Sequence, residues 1–440
     1  MNRFLYRIQT YRYPIILFSL VSIIVFFQTK GLLVLHRDGT HFFIKLLEKG
    51  SPVSYDSARR FAMLIGQSPT SLALFLGITN LKVLAYLFSF SYAAVPTLPL
   101  IYNYFFKGSN SIPLILSWLF FLYNSLFSAF YLISESIIAT VVMLIMLSYL
   151  LKPSSERKKI ENVLFLVCCF LSSKLYPSVL FYIPLFIYLL FREGKTQEKT
   201  GYVTIAAISL LIFSFIHETY WLIYYPYQTI EGSSILNVSD LFLNYYYLVS
   251  HFIFLVSVLS ILIDTNSKSD YTILLYAAII IISIVWFMAI QDSTTFPWQH
   301  YRYRMINSCL PLLLYLAFRT KNKVFYRPIL IWILSITMFA QINYSNQHLL
   351  VLDYLKEKCS RERNLVYANF PEKIKGVERD AFHLPSLSLL ACAMNGKTVN
   401  ALVLSKDKNA YQLFDPLKLD TYPHLERFGA DINVSPYINE

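Results

Sequence analysis

The chain has 440 residues and a formal net charge of +12, with 56% hydrophobic, 17% aromatic and only 15% charged residues, well below the roughly 25% charged residues of an ordinary soluble domain. That balance excludes a soluble nucleic-acid-binding protein, because the basic residues form short clusters between apolar runs instead of lining one face. It predicts an all-α polytopic membrane protein over residues 1–344, followed by a small α/β soluble domain over residues 345–440.

The N-terminal "MNRFLYRIQTYRYP" puts three arginines ahead of the first apolar run, with no A-x-A-like cleavage site behind it, and reads as the start of an uncleaved span. Eleven spans are expected, at residues 14–34, 82–105, 112–130, 135–151, 160–174, 177–191, 201–217, 242–263, 271–290, 305–318 and 328–344. Between the first two, the loop 35–81 contains "HFFIKLLEKG" and "SARRFAMLIG". Each has apolar residues at helical spacing and ends in glycine, which predicts two short helices lying in the membrane-water interface.

With a cytoplasmic N-terminus the inner segments carry sixteen Lys and Arg, from Arg3 to Arg327, against three in the short outer loops: Lys174, Arg302 and Arg304. The positive-inside rule then fixes the orientation and places the C-terminal domain outside the cytoplasm. In that domain "NLVYANF" and "TVNALVLSK" read as strands, and "SLSLLACAMNG" as a helix capped at Gly396. Cys359 and Cys392 are its two cysteines, an oxidisable pair outside the cytoplasm if they approach within bonding distance. Cys168, Cys169 and Cys309 lie in spans and read as small buried hydrophobes. No metal-spaced Cys or His pattern, Walker loop or dinucleotide fingerprint is present, so an ATP-driven pump has no support and no cofactor is expected.

Polar residues that are not flanking anchors gather on the outer side. They are Arg37, Asp38 and His41, then Asp56, Arg59 and Arg60, then Glu135, Lys174, Tyr176, His217, Glu218, Tyr220 and Asp292, then His300, Arg302 and Arg304. Asp38, directly behind the first span and followed by glycine, suits a general base at the mouth of a cavity; the plain alternative is a solvated Asp-Gly turn. Arg59 and Arg60, one turn beyond Asp56, suit bidentate binding of a lipid phosphate, or else an interfacial helix drawn to anionic head groups. In "HYRYR", Arg302 or Arg304 would neutralise a phosphate leaving group, against the alternative of an aromatic belt with anchoring arginines. Glu135 and Lys174 face a shared polar cavity or act as snorkelling anchors.

This layout resembles the GT-C superfamily of polytopic membrane glycosyltransferases: an odd-numbered bundle, an acidic residue behind the first span, two helices in the first outer loop and a C-terminal outer domain. The resemblance implies a sugar moved from a polyprenyl-phosphate donor to a glycan, lipid or protein acceptor, with Asp38 as base and Asp56 as a second acidic position. Many relatives carry paired acids, whereas Asp38 stands between Arg37 and Gly39; a single carboxylate makes a poor divalent-cation site. The chain is also similar to uncharacterised multi-span bacterial membrane proteins through "RDG", "ARRFA", "YRYR" and the "FDP" of Phe414, Asp415 and Pro416. That likeness carries no activity; it implies a bacterial inner membrane. Competing readings are a flippase for a lipid-linked glycan, an O-acyltransferase using His251, and an envelope assembly subunit.

Overall fold

The computed structural model describes residues 2–35, 38–53, 60–106, 112–127, 135–176, 179–180, 182–196, 201–224, 326–358, 364–365, 387, 390–391, 393–394 and 403–404. Its helices are α1 (Asn2–Lys30), α2 (Asp38–Lys49), α3 (Arg60–Phe75), α4 (Leu81–Ala94), α5 (Leu98–Phe105), α6 (Ile112–Phe127), α7 (Glu135–Leu150), α8 (Lys159–Leu171), α9 (Ile183–Thr196), α10 (Tyr202–Tyr224) and α11 (Tyr326–Lys358). The expected spans 242–263, 271–290 and 305–318 lie outside the described residues, as do Cys309, Cys359 and Cys392.

Among the described residues two helical stretches are long and apolar enough to cross a bilayer, Leu81–Phe105 with 25 residues and Tyr202–Tyr220 with 19. The first joins α4 and α5 through the 3-10 turn Val95–Thr97. Pro96 and Pro99 supply no N–H there, so the i to i−4 ladder gives way to the tighter turn without stopping the chain's direction. Val83, Phe90, Leu98, Ile101 and Phe105 are exposed along it, and their spacings of seven, eight, three and four keep them on one face. On α8, Ile160, Val163, Val167 and Phe170 repeat the pattern. Apolar faces of this kind need lipid or a partner over them.

Several polar side chains in these helices are satisfied within their own helix. Thr29 donates to the Val25 carbonyl at 2.8 Å, Asn103 to Pro99 at 2.8 Å, Ser117 to Pro113 at 2.8 Å, Thr140 to Ser136 at 2.7 Å and Ser148 to Leu144 at 2.7 Å. Back-bonding to the residue one turn earlier is how a hydroxyl is accommodated where no water reaches it.

The helices pack as a bundle. α1 lies along α11 and α4, α3 along α4, and α8 along α10. Gly31, just past the end of α1, allows a close approach: a Cβ there would lie 2.5 Å from the Ser345 Oγ and 2.8 Å from its Cα. The left-handed position falls on the next residue, Leu32, at φ 50°, so Gly31 is required for space and not for conformation. One core runs from the 3-10 turn Leu33–Leu35 through α2, α4, α7 and α9 to Val351, Leu352 and Leu355 of α11. Cys168 and Cys169 are free and buried.

Several boundaries differ from expectation. α11 does not stop at residue 344 but continues unbroken to Lys358, because no proline or glycine interrupts "NYSNQHLLVLDYLKEK". The first two loop helices also differ from each other. α2 is amphipathic as expected, burying Phe42, Phe43, Ile44, Leu46 and Leu47 while Lys49 stays exposed. α3 instead runs antiparallel to α4 as a hairpin, with Gly66 against the Tyr92 ring and the Ser91 hydroxyl donating to the Gly66 carbonyl at 2.6 Å. Its turn closes through Ile78 N–H to Ala73 and Gly77 N–H to Leu74, both 3.0 Å, with Gly77 at φ 81° and Asn80 capping α4 at Val83.

From the C-terminal region, Asn364–Leu365 pairs in parallel with Val403–Leu404. Residues of both predicted strands therefore meet. Parallel neighbours need a crossover connection, and the helical residues 387, 390, 391 and 393 lie between the two in sequence.

Candidate functional site

Polar groups collect at both ends of the bundle, with different character. At the end holding the last residues of α7, the buried charges are matched. Glu161 is fully buried and accepts from Lys152 Nζ at 3.1 and 2.9 Å, from the Tyr102 hydroxyl at 3.1 Å and from the Lys158 backbone N–H at 2.8 Å. Arg157 forks onto Glu193, both contacts 2.9 Å, stacks 4.3 Å over the Tyr149 ring, and donates to the carbonyls of Tyr149, Lys152 and Leu150 that end α7. Lys152, Arg157 and Lys158 read in sequence as topological charges. The structure makes them a self-contained structural lock, capping a helix C-terminus with a cation as the macrodipole favours.

The expected site residues that the structure describes lie away from this lock, on α2, α3, the turn Ser172–Lys174 and the start of α7. Asp38 is the first residue of α2 and His41 lies one turn along it. The Thr40 hydroxyl donates to the Leu35 carbonyl, fastening α2 to the turn that follows α1. Behind α2, Gly50 turns the chain at φ 67° and the loop is pinned to α3. Gln67 accepts from the Val53 N–H at 2.7 Å and donates to the Val53 carbonyl at 3.1 Å, while Ser71 donates to the Gly50 carbonyl at 3.1 Å. Gln67 is fully buried, so this two-point clamp replaces hydrogen bonds that water would otherwise supply.

Arg60 opens α3 and is exposed. Next to it, the Phe61 ring packs 5.5 Å from that of Phe170, so the start of α3 touches the end of α8 and the turn Ser172–Lys174. That turn is held to α10 by Ser172 and Ser214, 3.0 Å apart, and by Ser214 donating to the Cys169 carbonyl at 3.1 Å. One turn along α10, His217 lies against the Ser173 backbone within electrostatic reach of Lys174. Three cationic or protonatable groups, Arg60, Lys174 and His217, are thus brought to one end by α3, the turn Ser172–Lys174 and α10. Tyr176 is buried just beyond.

Glu135 is 8% exposed and lies within electrostatic reach of Tyr92, whose hydroxyl also meets the Met63 sulfur at 3.5 Å. Its burial rules out a surface anchor; it begins α7 beside Tyr92 of α4. Of the other expected site residues, Arg37, Asp56, Arg59, His300, Arg302 and Arg304 lie outside the described residues, so no geometry relates them to Asp38.

Sequence reasoning did not single out α11. Thr337, Gln341, Ser345 and His348 are all fully buried, at spacings of four, four and three along one face. The Nδ1–H of His348 donates to the Gly31 carbonyl at 2.6 Å, and the Gln341 amide donates to the Ser125 carbonyl. The stripe was present in the sequence as a helical period of polar residues, the inverse of the usual apolar one.

Comparison with known proteins returns no matching family model, no matching characterised protein and no matching solved structure.

Proposed function

We propose that this chain is a membrane glycosyltransferase that moves a sugar from a polyprenyl-phosphate donor to an acceptor on the outer face of a bacterial inner membrane. Asp38 takes the proton of an acceptor hydroxyl, and the oxygen attacks the anomeric carbon from the side opposite the phosphate. The bond from the anomeric carbon to the phosphate oxygen breaks, its electron pair leaves with the phosphate, and cations neutralise the charge that develops there. One displacement with one base inverts the anomeric centre. The fuller architecture that goes with this is an eleven-span bundle, N-terminus in the cytoplasm, with an extracytoplasmic C-terminal α/β domain. Membrane lipids are the surroundings and a lipid-linked sugar is the partner.

The observation that carries the reading is that α2, which Asp38 begins, packs against α3, while the start of α3 brings Arg60 to the turn Ser172–Lys174 and His217. A carboxylate for the acceptor proton and three cationic or protonatable groups for the phosphate are the kinds of side chain that phosphate departure from a lipid uses. Ionisable residues gathered inside a membrane bundle are by default a functional site. The opposite end of the bundle, rich in charge, is committed to its own internal pairs. The experiment is transfer of label from a radiolabelled polyprenyl-phosphate sugar pool in membranes containing the parent protein or Asp38→Asn. Transfer lost in the variant alone supports the reading. Equal transfer by a folded Asp38→Asn protein overturns it, and no transfer with any donor shifts the weight to flippase and assembly roles.

A further inference from the structure

α3 and α4 form a hairpin whose outer surface is apolar between polar ends, Arg60 at the start of α3 and Thr79, Asn80 and Lys82 at the turn and the start of α4. On α3, Leu64, Leu72 and Phe75 are exposed at spacings of eight and three, which is one helical face, and Leu76 and Ile78 extend it through the turn. Phe75 is 85% exposed, Leu76 69% and Leu72 58%. Ser68 falls on the same face, and its hydroxyl folds back onto the Leu64 carbonyl instead of pointing outward. The inner face of α3 is buried through Ala62, Met63, Gly66, Gln67, Thr70 and Ala73. A helix lying in the interface would pair an apolar side with a charged one, as α2 does; α3 is apolar outside and packed inside.

The hairpin's exposed face is continuous with the exposed apolar strip of the span that α4 and α5 build, through Val83 and Phe90. We propose that the outer face of α3 and of the first half of α4 is immersed in the hydrocarbon core of the bilayer and covered by lipid acyl chains. The 16 residues of α3 measure about 24 Å at a rise of about 1.5 Å per residue, so the helix reaches past the midplane of a hydrocarbon core of about 30 Å without crossing it. The tip, Phe75 to Ile78, lies level with the start of the span, and Arg60 at the other end of α3 lies about 24 Å deeper along the helix axis. Arg60, Lys174 and His217 are therefore recessed beneath the bilayer surface, behind an apolar wall. A substrate anchored in the bilayer reaches them without leaving the membrane, whereas a soluble anion has to pass the wall. The immersion itself does not depend on the proposed transfer reaction.

The test is the depth of nitroxide labels on Leu64→Cys, Leu72→Cys and Phe75→Cys, each in full-length protein reconstituted in vesicles of phosphatidylethanolamine and phosphatidylglycerol. Ser155→Cys, in the exposed loop between α7 and α8, is the aqueous reference, and unsubstituted protein corrects for native cysteines. Accessibility to oxygen relative to a water-soluble nickel complex is expected to be severalfold higher at Leu64 and Leu72 than at Ser155, and to rise from Phe75 to Leu64. Nickel accessibility at Leu64 and Leu72 equal to that at Ser155 overturns the proposal, leaving the hairpin in water. So does dipolar broadening between labels of two molecules, which assigns the face to a second copy. Three independent labels keep the result readable if one variant fails to fold. Because no substrate enters the measurement, lost sugar transfer and a misplaced hairpin are separate failures.

Discussion

Glu161→Gln removes a charge from a fully buried group and keeps its shape. The carboxylate now accepts four hydrogen bonds, two of them from Lys152, which is itself only 5% exposed. The substituted amide retains one acceptor oxygen and turns an N–H₂ group toward donors: the Lys152 ammonium, the Tyr102 hydroxyl or the Lys158 N–H. Lys152 keeps a single neutral partner, the Phe106 carbonyl at 3.3 Å. Breaking one side of a buried ion pair costs about 3–5 kcal/mol, most of it the penalty of the stranded charge. The double variant Lys152→Met with Glu161→Gln removes that charge as well; the amide oxygen accepts from the Lys158 N–H and the Tyr102 hydroxyl, which can rotate, accepts from the amide N–H₂, so at least half of the loss should return. The assay is unfolding in mixed micelles, followed by tryptophan fluorescence, for the parent, both single variants and the double. A Glu161→Gln loss within about 0.5 kcal/mol of zero, or single losses that simply add in the double, would refute the reasoning.

Gly31→Ala places a methyl group 2.8 Å from the Ser345 Cα, so α1 and α11 must separate; a loss of about 1–3 kcal/mol in the same unfolding assay is expected, and no loss would mean the seam is loose. Gly66→Ala meets the Tyr92 ring at 2.4 Å, and a second substitution, Tyr92→Leu, is expected to restore part of the lost stability where a remote one does not. Gln67→Leu frees the Val53 N–H and carbonyl, each worth about 1–3 kcal/mol when left buried without a partner, and hydrogen exchange at residues 50–53 should accelerate; unchanged exchange would show that the clamp does not hold the loop.

Apolar runs located the long helices well because their boundaries are chemical. The span expected at 82–105 is found as Leu81–Phe105, and α7 begins at Glu135, the residue where the fourth apolar run was expected to start. Cys168 and Cys169 are buried as small hydrophobes. The hairpin of α3 was not legible for the opposite reason. "ARRFAMLIGQSPTSLALF" carries arginines at one end only, and in sequence the period of its apolar residues fits an amphipathic helix as well as one with lipid outside and protein inside. What separates them is Gly66, whose absent side chain admits the Tyr92 ring of a helix 26 positions later. A glycine inside a helix signals close approach without saying to what. The buried lock at the other end was hidden similarly: Lys152, Arg157 and Lys158 obey the positive-inside pattern, and only the fold brings Glu161 and Glu193 to them.

The polar face of α11 ties the candidate site to a distant part of the chain. In a bilayer, apolar surfaces gain little by choosing one another over lipid, so small residues and interhelical hydrogen bonds set which helices meet and in what register. Gly31 and Ser345 provide the close approach, His348 and Gln341 the hydrogen bonds, and together they fix α1 and α6 against α11. The His348 contact falls on the carbonyl of Gly31, two residues before the turn Leu33–Leu35 and seven before Asp38. A helix near the end of the bundle sequence thus sets where the first one stops, and with it where α2 starts. The position of residue 38 is then determined less by its own loop than by a seam closed across 317 residues of sequence. The "RDG" signature by itself contains nothing that would hold a carboxylate in place.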